Sequence, residues 1–366
     1  AKQQAFLPTP MRRMNRFQYN NAVVDLLELD RDIFQMNERL LRRRSDYFKP
    51  ASKKMPNEVR ISSRPLSKDI DNQRPEGFRG VSAFPQDKRA EHGFDNRADH
   101  LTMSPLLMES FLKLSQNIAV SPDINAKECK SWPWLFAAPS KDVPQSKAIR
   151  DRLKKLLRRA FRQPAEAATV ERFAKFAEKK IADGATWESA MRQVVSAVLG
   201  MPDFLYIYES PNPGTEPAGR QRIDDYELAT RLAQFFWSSI PDDTLLDLAA
   251  ASKLSNAKVL REQIDRMMND KKIGRFTDNF PAQWLQLDRL VTSIPDPKKF
   301  SYFYYDGYRT SMHMMSEPLL LFETILVEDR SIMDLIAPDF TWESTMLKAN
   351  YAGHNRGGRG HQVQHF

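Results

Sequence analysis

The sequence predicts an all-α protein: two packed helical domains with a long irregular arm near the N-terminus. Three observations carry this. Glycine is scarce, 13 in 366 residues, where an average chain would hold about 26; folds built on tight turns and phosphate loops need more. Apolar residues recur at three- and four-residue spacing along most of the chain. No window alternates apolar and polar convincingly over five or more residues, outside Phe204 to Tyr208.

The first helix is expected over Asn15 to Leu29, with Phe17, Ala22, Val23, Leu26 and Leu27 on one face. Residues 30–103 follow as a polar arm or insertion, carrying Pro50, Pro56, Pro65, Pro75 and Pro85. A helical domain spans 104–209. Ser104-Pro105 opens its first helix as N-cap and N1 proline. Ser146 to Phe161 is a basic amphipathic helix, with seven Arg/Lys between Arg150 and Arg162. Its default reading is a solvated face; the functional ones are an anionic membrane surface or an acidic partner. Ala165 to Ala182 ends at Gly184, and Thr186 to Leu199 follows with half a capping box. Residues 210–220 are a Pro/Gly linker. A second helical domain, 222–351, reads as helices over 224–238, 242–251, 256–269, 272–285, 301–327 and 331–335. Residues 352–366 are Gly- and His-rich and read as a tail.

Composition narrows function. The 55 basic and 47 acidic side chains leave a formal charge of +8, mildly basic for this size. No basic-aromatic pattern or reader module points to nucleic acid. No run of 18 apolar residues predicts a transmembrane segment. The single cysteine, Cys129, excludes a disulfide framework and a Cys-x-x-Cys-His haem attachment. The start at Ala1 fits a processed N-terminus and equally fits removal of an initiator Met. No Gly-x-Ser-x-Gly, His-Glu-x-x-His, phosphate-loop or dinucleotide motif occurs.

The candidate ligand- or partner-binding residues are Arg13, Arg16, Tyr19, Asn20, His92, Asp95, Asn96 and Glu317. Arg12, Arg13, Arg16, Tyr19 and Asn20 project from the start of one helix. Arg16 and Asn20 share a face, and the cluster suits a carboxylate, phosphate or sugar. The structural alternative is a buried clamp onto the Asp95-Asn96 turn. The turn His92-Gly93-Phe94-Asp95-Asn96 offers imidazole, carboxylate and amide within five residues, enough for base chemistry or for a turn held by its own side chains. No metal is expected, since the ligand count is short. Met312-His313-Met314-Met315 invites a haem-ligand reading. Helical spacing with Tyr304, Tyr308, Leu319, Phe322 and Leu326 makes the methionines core filler instead and leaves His313 on a more exposed face. Glu317, beside Pro318, is the best single acid of the second domain; the structural alternative is a salt bridge to Arg231 or Arg275. The aromatics Phe235-Phe236-Trp237, Trp284 and Trp342 read as core before they read as a groove.

Six strings in order carry a family resemblance. They are Arg12-Arg13-Met14-Asn15-Arg16-Phe17-Gln18-Tyr19-Asn20-Asn21, His92-Gly93-Phe94-Asp95-Asn96, Ala160-Phe161-Arg162-Gln163-Pro164, Leu232 to Asp243, Phe280-Pro281-Ala282-Gln283-Trp284-Leu285, and Glu317 to Ser331. Over residues 10–351 the chain resembles the large secreted proteins of planctomycetes and related bacteria that are built from successive domains of unknown function. Members are often fused to, or encoded with, a c-type cytochrome domain. The resemblance implies a periplasmic or extracellular location and protein partners, a c-type cytochrome or other complex subunits. This chain departs from the pattern in lacking a haem domain, in stopping about two domains early, and in a longer stretch between Asp30 and Phe84. The expectation is therefore a scaffold or assembly subunit with no cofactor of its own, the haem residing on a partner. The alternative is a secreted enzyme or enzyme fragment acting on a carbohydrate-like substrate and passing electrons to a separate cytochrome.

Overall fold

The computed structural model describes residues 11–34, 36, 42–43, 47–62, 77–87, 89–91, 93–207, 223–301, 310–351 and 362–366. Helix accounts for 56% and strand for 5%, so the protein is predominantly α. In chain order the elements are β1 (Arg12–Arg13), α1 (Arg16–Leu27), β2 (Arg42–Arg43), β3 (Glu58–Ser62), α2 (Pro105–Val120), α3 (Trp132–Leu135), α4 (Gln145–Phe161), α5 (Ala167–Ala182), α6 (Trp187–Leu199), α7 (Pro202–Leu205) and β4 (Tyr206–Ile207). There follow α8 (Asp225–Phe236), α9 (Asp243–Ala250), α10 (Ala257–Asn269), α11 (Gly274–Trp284), α12 (Asp288–Thr292), α13 (Thr310–Val327), β5 (Trp342–Ser344), α14 (Thr345–Tyr351) and β6 (Gln362–His365). The expected linker at 210–220 lies outside the described residues.

The chain forms two compact units. One holds 1–36, 76–89 and 95–263; the other holds 37–75, 90–94 and 264–366. In the first unit α2 packs on α6, α4 on α5, and α5 on α6, with α1 against α4. Local chemistry sets the ends of these helices. Ser104 Oγ accepts from Leu107 N–H at 3.1 Å at the start of α2, and Thr186 Oγ1 accepts from Ser189 N–H at 3.2 Å at the start of α6. Gly184, at φ +96°, terminates α5 in the left-handed turn that favours glycine. The core contains Tyr19, Leu26, Leu27, Leu153, Leu156, Leu157, Val194 and Phe204, all sealed from solvent. Each such side chain contributes about 1.5–3 kcal/mol through burial.

The arm feeds both cores. Ile33, Phe34, Phe78 and Phe84 are buried in the first unit, and Phe48, Met55 and Val59 in the second. In the second unit α11, α12, β5 and α14 surround α13. A four-stranded antiparallel sheet in the order β2-β3-β6-β5 accompanies them. Val59 pairs with Val363, and Ser344 pairs with Val363 on the other side. The sequence places residues 362–365 in a tail; they are an inner strand of this sheet.

The position of His313 is a correction. It is fully buried, not on an exposed face, because β5 covers that side of α13 and Ser344 Oγ lies 2.6 Å from His313 Nδ1. Its neighbours Ser311, Met315, Ser316, Leu319, Leu320, Glu323 and Thr324 are buried too. The part-exposed stripe of this helix, Met314, Glu317, Pro318 and Leu321, carries one charge among apolar residues, so it does not stand out as a polar face. Tyr304 and Tyr308 lie outside the described residues.

Candidate functional site

In the first unit, Asn15 caps α1 with a full capping box: its side chain accepts from Gln18 N–H, and Gln18 Oε1 accepts from Asn15 N–H. The residues on either side of that cap are then fixed in direction. Arg13 is 1% exposed. Its guanidinium donates to both oxygens of Asp87, one at 3.0 Å and the other closer, and to the carbonyl of Thr102 at 3.0 Å. It lies over the rings of Phe84 and Phe111, 5.8 and 5.9 Å from their centroids. Arg16 donates to the carbonyl of Phe84. Tyr19 packs edge-on against Phe84 and Phe204 and tilted against Phe111. Its hydroxyl has no hydrogen-bond partner, and burial raises its pKa.

Asn20 serves a different place. Its amide donates to Asp32 at 2.7 Å and its carbonyl accepts from Ile33 N–H at 2.9 Å, so it pins the start of the arm. Asp95 is held by Asn15 Nδ2 at 2.8 Å. An amide thus contributes to holding this turn, while Arg13 takes Asp87. Asn96 is exposed. His92 lies outside the described residues. Gly93, at φ +93°, is required sterically: a Cβ there would stand 2.5 Å from the carbonyl oxygen of Gln283. Phe94 stacks near Phe280, 5.9 Å between centroids. Arg13, Arg16 and Tyr19 thus meet around Phe84, whereas Asn20 and Asp95 each have their own partner.

Glu317, in the second unit, is half-buried. It accepts from Ser344 N–H at 3.1 Å and from Tyr351 Oη at 3.0 Å. These donors stand where the structural alternative placed Arg231 or Arg275. Burial, reinforced by Glu343, raises its pKa above the usual carboxylate value, outweighing the two donors. Glu323, one of the few fully enclosed carboxylates, accepts from Tyr47 Oη at 2.6 Å and Thr277 Oγ1 at 3.0 Å. The expectation for Glu317 came from its place in a string; nothing in the sequence marks Asp87, Asp32 or Tyr47 as the partners they are, since each lies in the non-periodic arm.

The arginines of α4 are not a free basic face. Arg150 pairs with Glu171 and Glu178 at 2.7 and 2.6 Å. Arg159 pairs with Asp243 and Glu28 at 2.6 and 2.5 Å, and its hydrogen bond lowers the pKa of Asp243. Arg152 donates to the carbonyl of Ala137 and lies over Trp187. Arg162 donates to the carbonyls of Asp203, Phe204 and Tyr206, which seats α7 and β4, and to that of Ala160. Cys129 is buried and hydrogen-bonded to Leu27 O and Ser131, and burial raises its pKa.

Among the described residues no group of three or more His, Cys, Asp or Glu is placed to hold a metal ion, and no helix is long and apolar enough to cross a membrane. A helical protein with its polar residues gathered around one helix start and one carboxyl is the class this geometry defines. Three family models match it in succession. PSD3, a protein of unknown function (DUF1587), matches residues 77–121; PSD5, a protein of unknown function (DUF1595), matches 148–209; PSD4, a protein of unknown function (DUF1592), matches 223–352. The chain carries these three domains, which fits the multi-domain resemblance of its strings. Comparison with curated proteins and with solved structures returned no match.

Proposed function

We propose that the chain is a non-catalytic subunit of a larger assembly in the periplasm or outside the cell, docked to a c-type cytochrome or another complex subunit and bringing no haem of its own. One observation carries the reading. The charged and amide groups at the start of α1 are spent on the fold: Arg13 on Asp87, Asn15 on Asp95, Asn20 on Asp32 and Ile33. A binding site needs convergent polar groups facing a cleft with bonding capacity to spare. These groups face their own chain, which is how scaffold residues behave. The three successive domains support a part within a multi-domain system, and the resemblance of the strings supports export and the cytochrome link.

The test is to tag the chain in its native host, isolate it gently and record a reduced-minus-oxidised spectrum with the masses of what accompanies it. The expected result is a c-type haem signal on a separate polypeptide. A chain that purifies alone and oxidises a carbohydrate with added cytochrome would sink the proposal and restore the enzyme alternative.

A further inference from the structure

We infer that the outer face of the α4–α5 pair is a docking surface for a carboxylate-rich patch on a folded protein partner. Residues 145–183 contain 12 Lys/Arg and 5 Asp/Glu, a surplus of 12 − 5 = 7, against +8 for the whole chain. The excess charge of the molecule is thus concentrated in one helical pair. The arginines of α4 are committed to internal carboxylates and carbonyls. Lys147, Lys154, Arg172, Lys175 and Lys179 are exposed, and none of them makes an ion pair with another described residue. On α4 the division follows from chemistry: the planar guanidinium fork matches carboxylates within the fold, whereas the compact, strongly hydrated ammonium stays in water.

Position makes these cations a surface. Lys147 and Lys154 are two turns apart on α4, about 10 Å by helix rise. Arg172, Lys175 and Lys179 follow each other at three- and four-residue spacing on α5, also within about 10 Å. Glu171 feels both Lys154 and Lys175, so the two rows adjoin. Arg150 already neutralises Glu171 and Glu178 between them. The apolar sides of both helices are committed to the core, through Leu153, Leu156, Leu157, Phe173 and Ala177. Of the large apolar side chains on this face only Phe176 is exposed, at 36%. A helix that inserts into lipid needs a continuous apolar face. Fixed cations at fixed spacing suit fixed carboxylates, and they set rate and orientation of docking more than raw affinity.

This inference rests on the subunit reading but is tested on the purified full chain. One variant carries Lys147→Glu, Lys154→Glu, Lys175→Glu and Lys179→Glu. A control carries Lys253→Glu, Lys258→Glu, Lys298→Glu and Lys299→Glu, four exposed lysines elsewhere. Both have a formal net charge of 8 − 8 = 0. Binding to poly-L-glutamate and to phosphatidylglycerol–phosphatidylcholine vesicles is measured at low and at physiological salt. The expected result is salt-sensitive binding of wild type to poly-L-glutamate, weakened roughly tenfold or more in the first variant, since four modest surface pairs multiply, and within a few-fold of wild type in the control. Absence of wild-type binding overturns the inference, as does an equal loss in both variants. Tighter binding to the vesicles, abolished by Phe176→Ser, overturns it in favour of a membrane. A chain that co-purifies with a cytochrome yet ignores poly-L-glutamate refutes this face alone; the reverse pattern refutes the subunit reading and leaves the face standing.

Discussion

Arg13 and Asp87 are the costliest pair to break. Both are nearly sealed, at 1% and 10% side-chain exposure, with aromatic rings beside the guanidinium. Removing one charge strands the other in low dielectric. Asp87→Asn should therefore cost about 3 kcal/mol in urea unfolding. Replacing both, with Arg13→Met and Asp87→Leu, should recover most of that, because an apolar pair avoids the desolvation penalty. A loss under about 1 kcal/mol for the single change would mean water reaches the pair. Glu317 works in the opposite sense to an ion-paired acid. Its folded pKa is raised by burial, so the folded chain holds a proton that the unfolded chain, with a value near 4.5, gives up. The stability it contributes is present below that unfolded value and is lost as pH rises through the folded one. Glu317→Gln keeps an acceptor for Ser344 N–H and cannot ionise. Between pH 4 and pH 8 its stability should therefore fall less than that of wild type. Parallel urea-midpoint curves for the two proteins would rule this out.

At the scale of elements, helices were legible and strands were not. Ser104-Pro105, Thr186, Gly184 and the Asp residues before α8 and α9 act where local rules put them, because a cap is satisfied by neighbours in sequence. Helix α13 was found but its faces were not, since the covering residues Trp342 to Ser344 lie outside the periodic pattern. The sheet was invisible for the same reason. Glu58-Val59-Arg60-Ile61-Ser62 does alternate polar and apolar residues at a period of two, but a single five-residue run names no partner, and its partner strand is far along the chain. Of the candidate site, the helix spacing places Arg13, Arg16 and Tyr19 near one another, around Phe84, but Phe84, Asp87 and Asp32 come from the arm, whose contacts no spacing encodes. Strand β6 offers a direct test. Deleting residues 362–366 should abolish hydrogen-exchange protection at Val59 and at Trp342 to Ser344, since both neighbours lose their ladder. Protection in α4 to α6 should be unchanged. Unaltered exchange in β3 and β5 would show that the sheet does not depend on β6.

For the whole molecule, the lone thiol is a reporter. Cys129 is sealed, bonded to Leu27 O and disfavoured as thiolate by burial, and only the thiolate attacks disulfide reagents. Native chain should react with an aromatic disulfide reagent at least about a hundredfold more slowly than urea-unfolded chain, tracking the equilibrium population of open forms. Fast labelling in native buffer would mean that the Leu29–Cys129 bridge region opens locally. The same residue makes a second statement about the molecule: with one cysteine, expression alongside haem-attachment machinery should leave the chain colourless.

The pairing of Val59 with Val363 has a consequence in time. A ribosome adds about 5–20 residues per second, so the three hundred residues between those partners take on the order of 15–60 s to make. Throughout that interval β3 has only the two residues of β2 beside it and presents an open edge to any passing strand. The first unit draws most of its chain from residues made earlier, up to 263, and can form while synthesis continues. The second must wait for a late segment to thread between β3 and β5, and that delay is when a chaperone would matter most.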